Sequence, residues 1–401
     1  MNMLARHQRG VSLIELMIAL LIGTLLLLGL VQVFAASHTA YQISEGLARV
    51  QENGRFAVDY LQRDIRMAGH FGCVNDQARK LSAGITDPLL SHLAGTDSRI
   101  DFGTSIQGYE AVGTAPAASG TPNNWNLATT AGTWSPVLPD HLTKLANPPL
   151  AGSDVIVLRY FSGEGIPVTA ITSVTGKTTI TVNPAQWPVL TQGGIASPSL
   201  FGVSDCSYAD IFQATSVAAG TVVFEPSKGL NSATDFTERY TASPAGQTVL
   251  YRAESVAYYV AKGAKGADGA DGEPALYRLR FNPAPGGGLN NGQDPEELVA
   301  GIESLQFLYG QDANPVDSLN GNITEQNTAT PLATTEDKWR RVGLVQLGVL
   351  ARSPTRAAST AATGAAVPTA LGVSFTLTPY DARYRTVYES TVALRNRLYG
   401  N

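Results

Sequence analysis

One carboxylate stands where a carboxylate is costly. Glu15 opens an apolar run that continues from Leu16 to Val31, broken only by Thr24 and two glycines. A charge inside a membrane segment costs up to a few kcal/mol and marks function, with a partner close by. Glu15 is preceded by Gly10-Val11-Ser12-Leu13-Ile14, and that stretch by a basic leader, residues 1–10, holding Arg6 and Arg9. The Glu15 anion would attract a cation strongly in a low-dielectric bundle if each had the other as partner. The second pair of interest is Cys73 and Cys206, the only cysteines. Two cysteines exclude a multi-cysteine zinc site and a small disulfide scaffold. In an exported chain they are expected to form one bridge, whose loop closure could stabilise the fold by up to ~5 kcal/mol.

Other groups carry less. His7, His38, His70, His92 and His141 fall singly, without metal-ligand spacing, and neither a Gly-x-Ser-x-Gly elbow nor a phosphate loop occurs. Asp312, Asn314, Asp317, Asn320 and Asn322 offer oxygen ligands of the calcium type but lack the spacing of an EF-hand, and turn chemistry explains them more simply. Residues 263–274 place glycine at every third position, yet four triplets with one proline cannot sustain a collagen helix; a solvated loop between strands is expected. The residues therefore predict no enzyme, no cofactor and no metal. A formal net charge of −5 gives no reason to expect nucleic acid as a partner.

These residues need elements to hold them. The apolar run, with positive charge on its leader side, reads as a transmembrane helix over residues 11–36 with a cytoplasmic leader. An ordinary signal peptide cut near Val33-Phe34-Ala35 is the alternative; the long apolar run and the embedded Glu15 count against it. The helix is expected to continue through 37–70, because Ile43, Leu47, Val50, Gly54, Ala57, Leu61, Ile65 and Ala68 share one helical face. Glu45/Arg49, Glu52/Arg55 and Asp59/Arg63 lie at spacings that support a solvated face. Gly69 and Gly72 supply stop signals, so a helix from Ser12 to Ala68 would measure ~85 Å.

Beyond it, residues 71–401 read as a β-rich head. Short β-prone runs are Val155–Tyr160, Thr178–Val182, Thr221–Phe224, Val249–Tyr251, Val256–Val260, Leu276–Phe281, Leu305–Tyr309, Leu344–Leu350 and Val373–Leu377. Long loops are expected at 113–134, 283–295, 311–335 and 353–368. The fold class is α+β: a long helix, half transmembrane and half amphipathic, packed on a largely antiparallel sheet.

Gly10 through Glu15 and the run behind them resemble the type III signal of type IV prepilins. The resemblance implies cleavage between Gly10 and Val11 by the prepilin peptidase, methylation of the new amino terminus at Val11, and pairing of Glu15 with a neighbouring subunit's terminal amine during assembly. Val11 departs from the phenylalanine usual at that place, and no proline precedes Pro88, so melting of the helix in a filament is not implied. Further blocks narrow the resemblance: Glu52-Asn53-Gly54-Arg55-Phe56-Ala57 through Gly72-Cys73, Ser153 to Tyr160, Ser204-Asp205-Cys206 with Ala209 to Phe212, Leu298 to Gln306 with Tyr309-Gly310, and Ser390 to Leu398. In that order they are similar to the type IV pilus assembly protein PilW family.

That resemblance implies a minor pilin that helps prime pilus assembly. Its implied partners are the prepilin peptidase, other minor pilins, the major pilin, a large adhesin-like tip protein and the inner-membrane assembly platform. It implies an inner-membrane protein with a periplasmic head before assembly and a place in the pilus, at the tip, afterwards. The rival within the same superfamily is a J-type minor pseudopilin of type II secretion; from another class, a signal-anchored surface enzyme or adhesin.

Overall fold

Long runs of good helix formers need both a cap and a packing partner to become one rod, and α1 (Leu13–Met67) has both. The computed structural model describes residues 10–74, 88–117, 122–174, 176–234, 239–263, 272–289, 294–314, 319–356, 368–377 and 381–397. Ser12 is the N-cap of α1 and Ala68 its C-cap, so the 55-residue helix ends where the sequence periodicity places it. Gly69 and Gly72 follow at φ +76° and +78°, a conformation that favours glycine and turns the chain away from the helix axis.

The head then runs through β1 (Leu89–Ser91), β2 (Ile106–Ala111), β3 (Asn123–Asn126), β4 (Trp134–Ser135) and the helical turn α2 (Asp140–Thr143). Next come β5 (Val155–Phe161), β6 (Ile166–Val174), β7 (Lys177–Val182), β8 (Leu200–Ser204), β9 (Ala209–Gln213), β10 (Ser216–Ala218), β11 (Thr221–Phe224), β12 (Val249–Lys262) and β13 (Pro274–Arg280). After β14 (Glu296–Ala300), β15 (Ile302–Asp312) and β16 (Ile323–Asn327), the short helices α3 (Ala329–Leu332) and α4 (Glu336–Arg340) lead to β17 (Val342–Arg356), β18 (Thr369–Ala370), β19 (Val373–Thr376) and β20 (Arg383–Ala393).

Among the described residues the strands form three sheets: one of 13 strands centred on β12, one of four in the order β16-β15-β17-β20, and a small one of β18-β19-β3. All pairings are antiparallel except β1 with β9 and β3 with β19. The fold is the expected α+β arrangement. Two sheets, not one, meet the stalk: α1 packs chiefly on β17 and β20, with smaller contacts to β14, β5 and β15. One core joins Val50, Ala57, Leu61 and Ile65 of the helix to Leu158, Tyr258, Leu305, Leu347 and Val349 of the sheets.

Several expectations need correction. Val249–Tyr251 and Val256–Val260 are one 14-residue strand, β12. The polar interval between them is tolerated because Arg252 and Glu254, two apart on one face, pair with each other, Nε to Oε1 at 2.6 Å, while Arg252 also donates to the carbonyls of Leu190 and Gln192. The loop expected at 113–134 contains β3, and that at 311–335 contains β16, α3 and the extended end of β15; short polar strands hide from periodicity. β17 takes in the first four residues, 353–356, of the loop expected from Ser353, and 357–367 lie outside the described residues. Strands β2, β6, β8, β9 and β20 were not anticipated. β2 mixes Gly108 and Glu110 into its run, and β20 is mostly polar because it is an edge strand. Lys262 pairs with Pro274 at the ends of β12 and β13, so the glycine-rich segment does connect two paired strands, although 264–271 fall outside the described residues.

Candidate assembly site on the amino-terminal helix

The first turn of α1 is closed by its own side chains. Ser12 N–H and Ser12 Oγ–H both donate to Glu15 Oε2, each at 2.9 Å, and Glu15 N–H donates to Ser12 Oγ at 3.3 Å. This is a capping box: it satisfies amide groups that the first turn of a helix leaves without partners. The pattern Ser-x-x-Glu ahead of an apolar run is legible in sequence, and its capping role was missed there because Glu15 was read only as an intermolecular anion. Gly10 and Val11 lie exposed just outside the cap.

From Leu13 to Ser44 every side chain of α1 is exposed, including Leu16, Leu20, Leu25, Leu26 and Phe34. Among the described residues none of the head covers this half. It is long and apolar enough to cross a membrane. From Gly46 onward the helix docks. Gly46, Val50, Gly54, Ala57, Leu61, Asp64 and Ile65 are buried; of the face read from the sequence, Ile43 is exposed and Leu47 only half-buried, because docking begins at Gly46. Asp64 was not anticipated there; it accepts a 2.6 Å hydrogen bond from the Tyr258 hydroxyl, which makes its burial tolerable. Of the acid–base pairs expected on the solvated face, none forms among the described residues. The pair present is Arg55 with Asp59 at 4.0 Å, both exposed and worth little. Asn53 Nδ2 donates to the Ala300 carbonyl at 3.0 Å, and Asn396 Nδ2 donates to the Arg66 carbonyl at 2.9 Å, so the docked half is pinned at both ends.

Cys73 and Cys206 are joined in a disulfide, with Cα atoms 4.7 Å apart and 133 residues between them in sequence. Cys206 lies in the turn between β8 and β9, so the bridge ties the chain leaving the stalk to the large sheet. Two backbone bonds flank it, Gly69 N–H to the Arg159 carbonyl at 3.2 Å and Phe161 N–H to the His70 carbonyl at 2.7 Å. The stalk therefore cannot swing on a free linker.

The histidines and Asp312 sit in local contacts. His92, fully buried, lies 3.2 Å from Asp210 Oδ1, and Arg239 donates to both Asp210 oxygens. Burial pushes His141 down to about 4, so it is neutral at pH 7. His38 stacks loosely on Phe34, and His70 meets the Tyr251 ring edge-on. Among the described residues no three histidine, cysteine or acidic side chains group as metal ligands. Asp312 accepts the backbone N–H groups of Asn314, Asn320 and Gly321 at 2.8–2.9 Å, which is turn chemistry; Asp317 lies outside the described residues.

Two family models match this chain. Residues 5–31 match the prokaryotic N-terminal methylation motif, which takes in Gly10, Val11, Glu15 and the apolar run. Residues 257–396 match the Type IV Pilus-assembly protein W model, which runs from mid-β12 to Asn396 beside the stalk's end. A PilW domain and a prepilin-type methylation motif are thus both present in this chain. No curated protein and no solved structure matches it. The PilW match contains β15, β17 and β20, the strands on which α1 rests. The earlier blocks at 52–73, 153–160 and 204–212 lie outside both matched ranges. A methylation motif on an apolar, exposed helix fits a membrane-anchored PilW-type pilin.

Proposed function

We propose that this chain is a minor pilin that helps prime type IV pilus assembly within a small complex at the pilus tip, and that its role is structural rather than catalytic. The observation that carries the reading is α1 itself: one rod, bare and apolar in its first half, pinned to the head in its second, and opening with Ser12–Glu15 directly behind Gly10–Val11. In this reading residues 1–10 are the leader, 11–36 span the inner membrane, 37–70 form the periplasmic stalk and 71–401 the head. Cleavage by the prepilin peptidase makes Val11 the first residue and the site of N-methylation. The partners are other minor pilins, the major pilin, a large adhesin-like tip protein and the assembly platform.

Processing is tested by amino-terminal sequencing, which should find N-methylated Val11 first. Gly10→Leu should leave full-length protein in the membrane, because a side chain now crowds the bond to be cut. Normal maturation of that variant would contradict the assignment.

Glu15 is tested by two substitutions that the capping box separates. Glu15→Gln keeps an oxygen for the Ser12 N–H but removes the charge; Glu15→Leu removes both. If Glu15 neutralises a neighbour's terminal amine, both variants are inserted and processed yet recover about tenfold less minor-pilin complex, since a desolvated cation loses its partner. A loss confined to Glu15→Leu would mean that the cap alone matters.

A further inference from the structure

β20 is an edge strand 11 residues long, and among the described residues nothing pairs with its outer side. Its register with β17 is unbroken from Arg385 opposite Arg352 to Ala393 opposite Leu344. It lacks the proline and the shortness that blunt many edges; the register irregularity and the charges of Arg383 and Arg385 sit at its start, leaving 386–393 regular, with Thr386, Val387, Tyr388, Thr391 and Val392 favouring extended structure. One face of this part of the sheet is covered by α1; the other is covered near Val387 by the core of Leu350, Ala370, Val373 and Phe375, while Glu389, Thr391 and Ala393 further along it are exposed.

A cleft of about 630 Å³ lies at the upper end of that edge. Thr391, Val392 and Ala393 all line it. Side chains of a strand alternate between faces, so three consecutive residues share one cleft only where it opens on the strand's edge. The opposite wall is the end of α1, with Arg66 and His70, and Arg395 closes the top. Among the described residues neither guanidinium has an acidic partner; Arg66 reaches only Gln62 Oε1, at 3.4 Å. The nearby carboxylate of Asp64 is turned inward to Tyr258.

β20 also has a direction. Tyr388 packs at Gly54, Ser390 bonds Gln62 and Asn396 bonds Arg66, so β20 runs the same way as α1. A symmetric pairing of β20 with a second copy would need a two-fold axis across the strands, which would point the two membrane helices in opposite directions. Two copies anchored in one membrane cannot adopt it.

We propose that β20 is a strand-addition site that takes an extended segment of a different pilus component, with an acidic residue of that segment seated between Arg66 and Arg395. Backbone groups of the added strand satisfy the open edge, and the two arginines set its register and favour an acidic partner. The inference rests on the pilus-assembly reading.

The test uses the full chain in detergent, alone and co-purified with the other minor pilins of its own pilus, followed by amide hydrogen exchange. In the complex, those amides of 384–393 that point away from β17 should exchange about tenfold more slowly. R66Q/R395Q, at two exposed positions, should leave thermal unfolding unchanged but lose that protection and the added sensitivity of the complex to salt. A complex that forms without any change in β20 exchange overturns the inference and leaves the pilus role standing. Failure of any complex to form overturns both. Protection that appears in the isolated chain as its concentration rises would make the occupant a second copy, and protection that survives R66Q/R395Q would remove the acidic residue; either result overturns the proposal as stated.

Discussion

Asp154→Ala is expected to destabilise the head by about 2–6 kcal/mol, because it strips the acceptor from two buried amides at once. Asp154 Oδ1 accepts from Ala111 N–H at 2.8 Å and Oδ2 from Phe307 N–H at 2.9 Å. Those amides belong to β2 of the large sheet and β15 of the four-stranded sheet. Asp154 N–H completes the seam by donating to the Leu305 carbonyl at 2.9 Å, while Ser153 Oγ accepts from Leu305 N–H at 3.0 Å. One side chain thus stands in for the ladder bonds that two separate sheets cannot make with each other. Denaturant unfolding of the full chain measures the loss; a variant within about 1 kcal/mol of the parent would show that the seam holds without it.

The same carboxylate makes the head sensitive to alkali. Glu110 is buried beside Asp154, and its Oε2 has no hydrogen-bond partner among the described residues. Burial first, and then the charge of Asp154, push Glu110 far above the carboxylate range; burial raises Asp154 as well, against the two amides that hold it down. Tyr309, from β15, faces both and is itself raised by burial and by their charges, so it stays protonated throughout. Because the folded pKa values are raised, the folded chain keeps protons that the unfolded chain releases. The pair's contribution to stability is fully present below the ordinary carboxylate range and falls as pH climbs from there toward the raised values, by up to about 1.4 kcal/mol per pH unit for each proton retained. The melting temperature should therefore drop between pH 6 and 9, and Glu110→Gln should flatten that drop. An unchanged slope in this variant would assign the alkaline loss to other groups.

Gly54→Leu should pry the stalk from its sheet at a cost of about 3 kcal/mol. A Cβ at Gly54 would sit 2.1 Å from Tyr388 Cε2 and 2.7 Å from its Cζ, so the ring lies flat where a side chain would project. The ring cannot simply swing away, because its hydroxyl reaches the Val50 carbonyl at 3.4 Å and its backbone is held in β20. The expected signs are a lower unfolding midpoint and faster proteolysis between α1 and β20. Adding Tyr388→Ala should recover part of the loss, since the leucine then fills space that the ring has left. Gly23→Leu and Gly29→Leu are the controls: nothing lies within 4 Å of either, so head stability should not move. Equal losses at Gly54 and Gly23 would mean that the close approach to Tyr388 is not what sets the loss, since leucine is the better helix former at both positions.

The sequence by itself determined the parts of this protein whose physics is local. A 3.6-residue period fixes which face of α1 docks, and a run of apolar residues fixes that its first half is fit for a membrane. The Gly10-Val11-Ser12-Leu13-Ile14-Glu15 string lies within the methylation-motif match, which spans only residues 5–31. Turn chemistry at Asp312 was legible for the same reason, since its partners Asn314, Asn320 and Gly321 lie within nine residues of it. Only the tertiary structure decided where separate segments meet. It brings Cys73 to Cys206, Tyr258 to Asp64, Tyr388 to Gly54, and Ala111 and Phe307 to Asp154, contacts that span tens to hundreds of residues. It also decided that Arg252 and Glu254 belong inside one strand and that the polar β20 is an edge, because burial depends on what the rest of the chain lays against a residue. Local patterns report the torsions and exposure a segment prefers; pairing, seams and open edges arise only when non-local packing repays the entropy of bringing distant segments together.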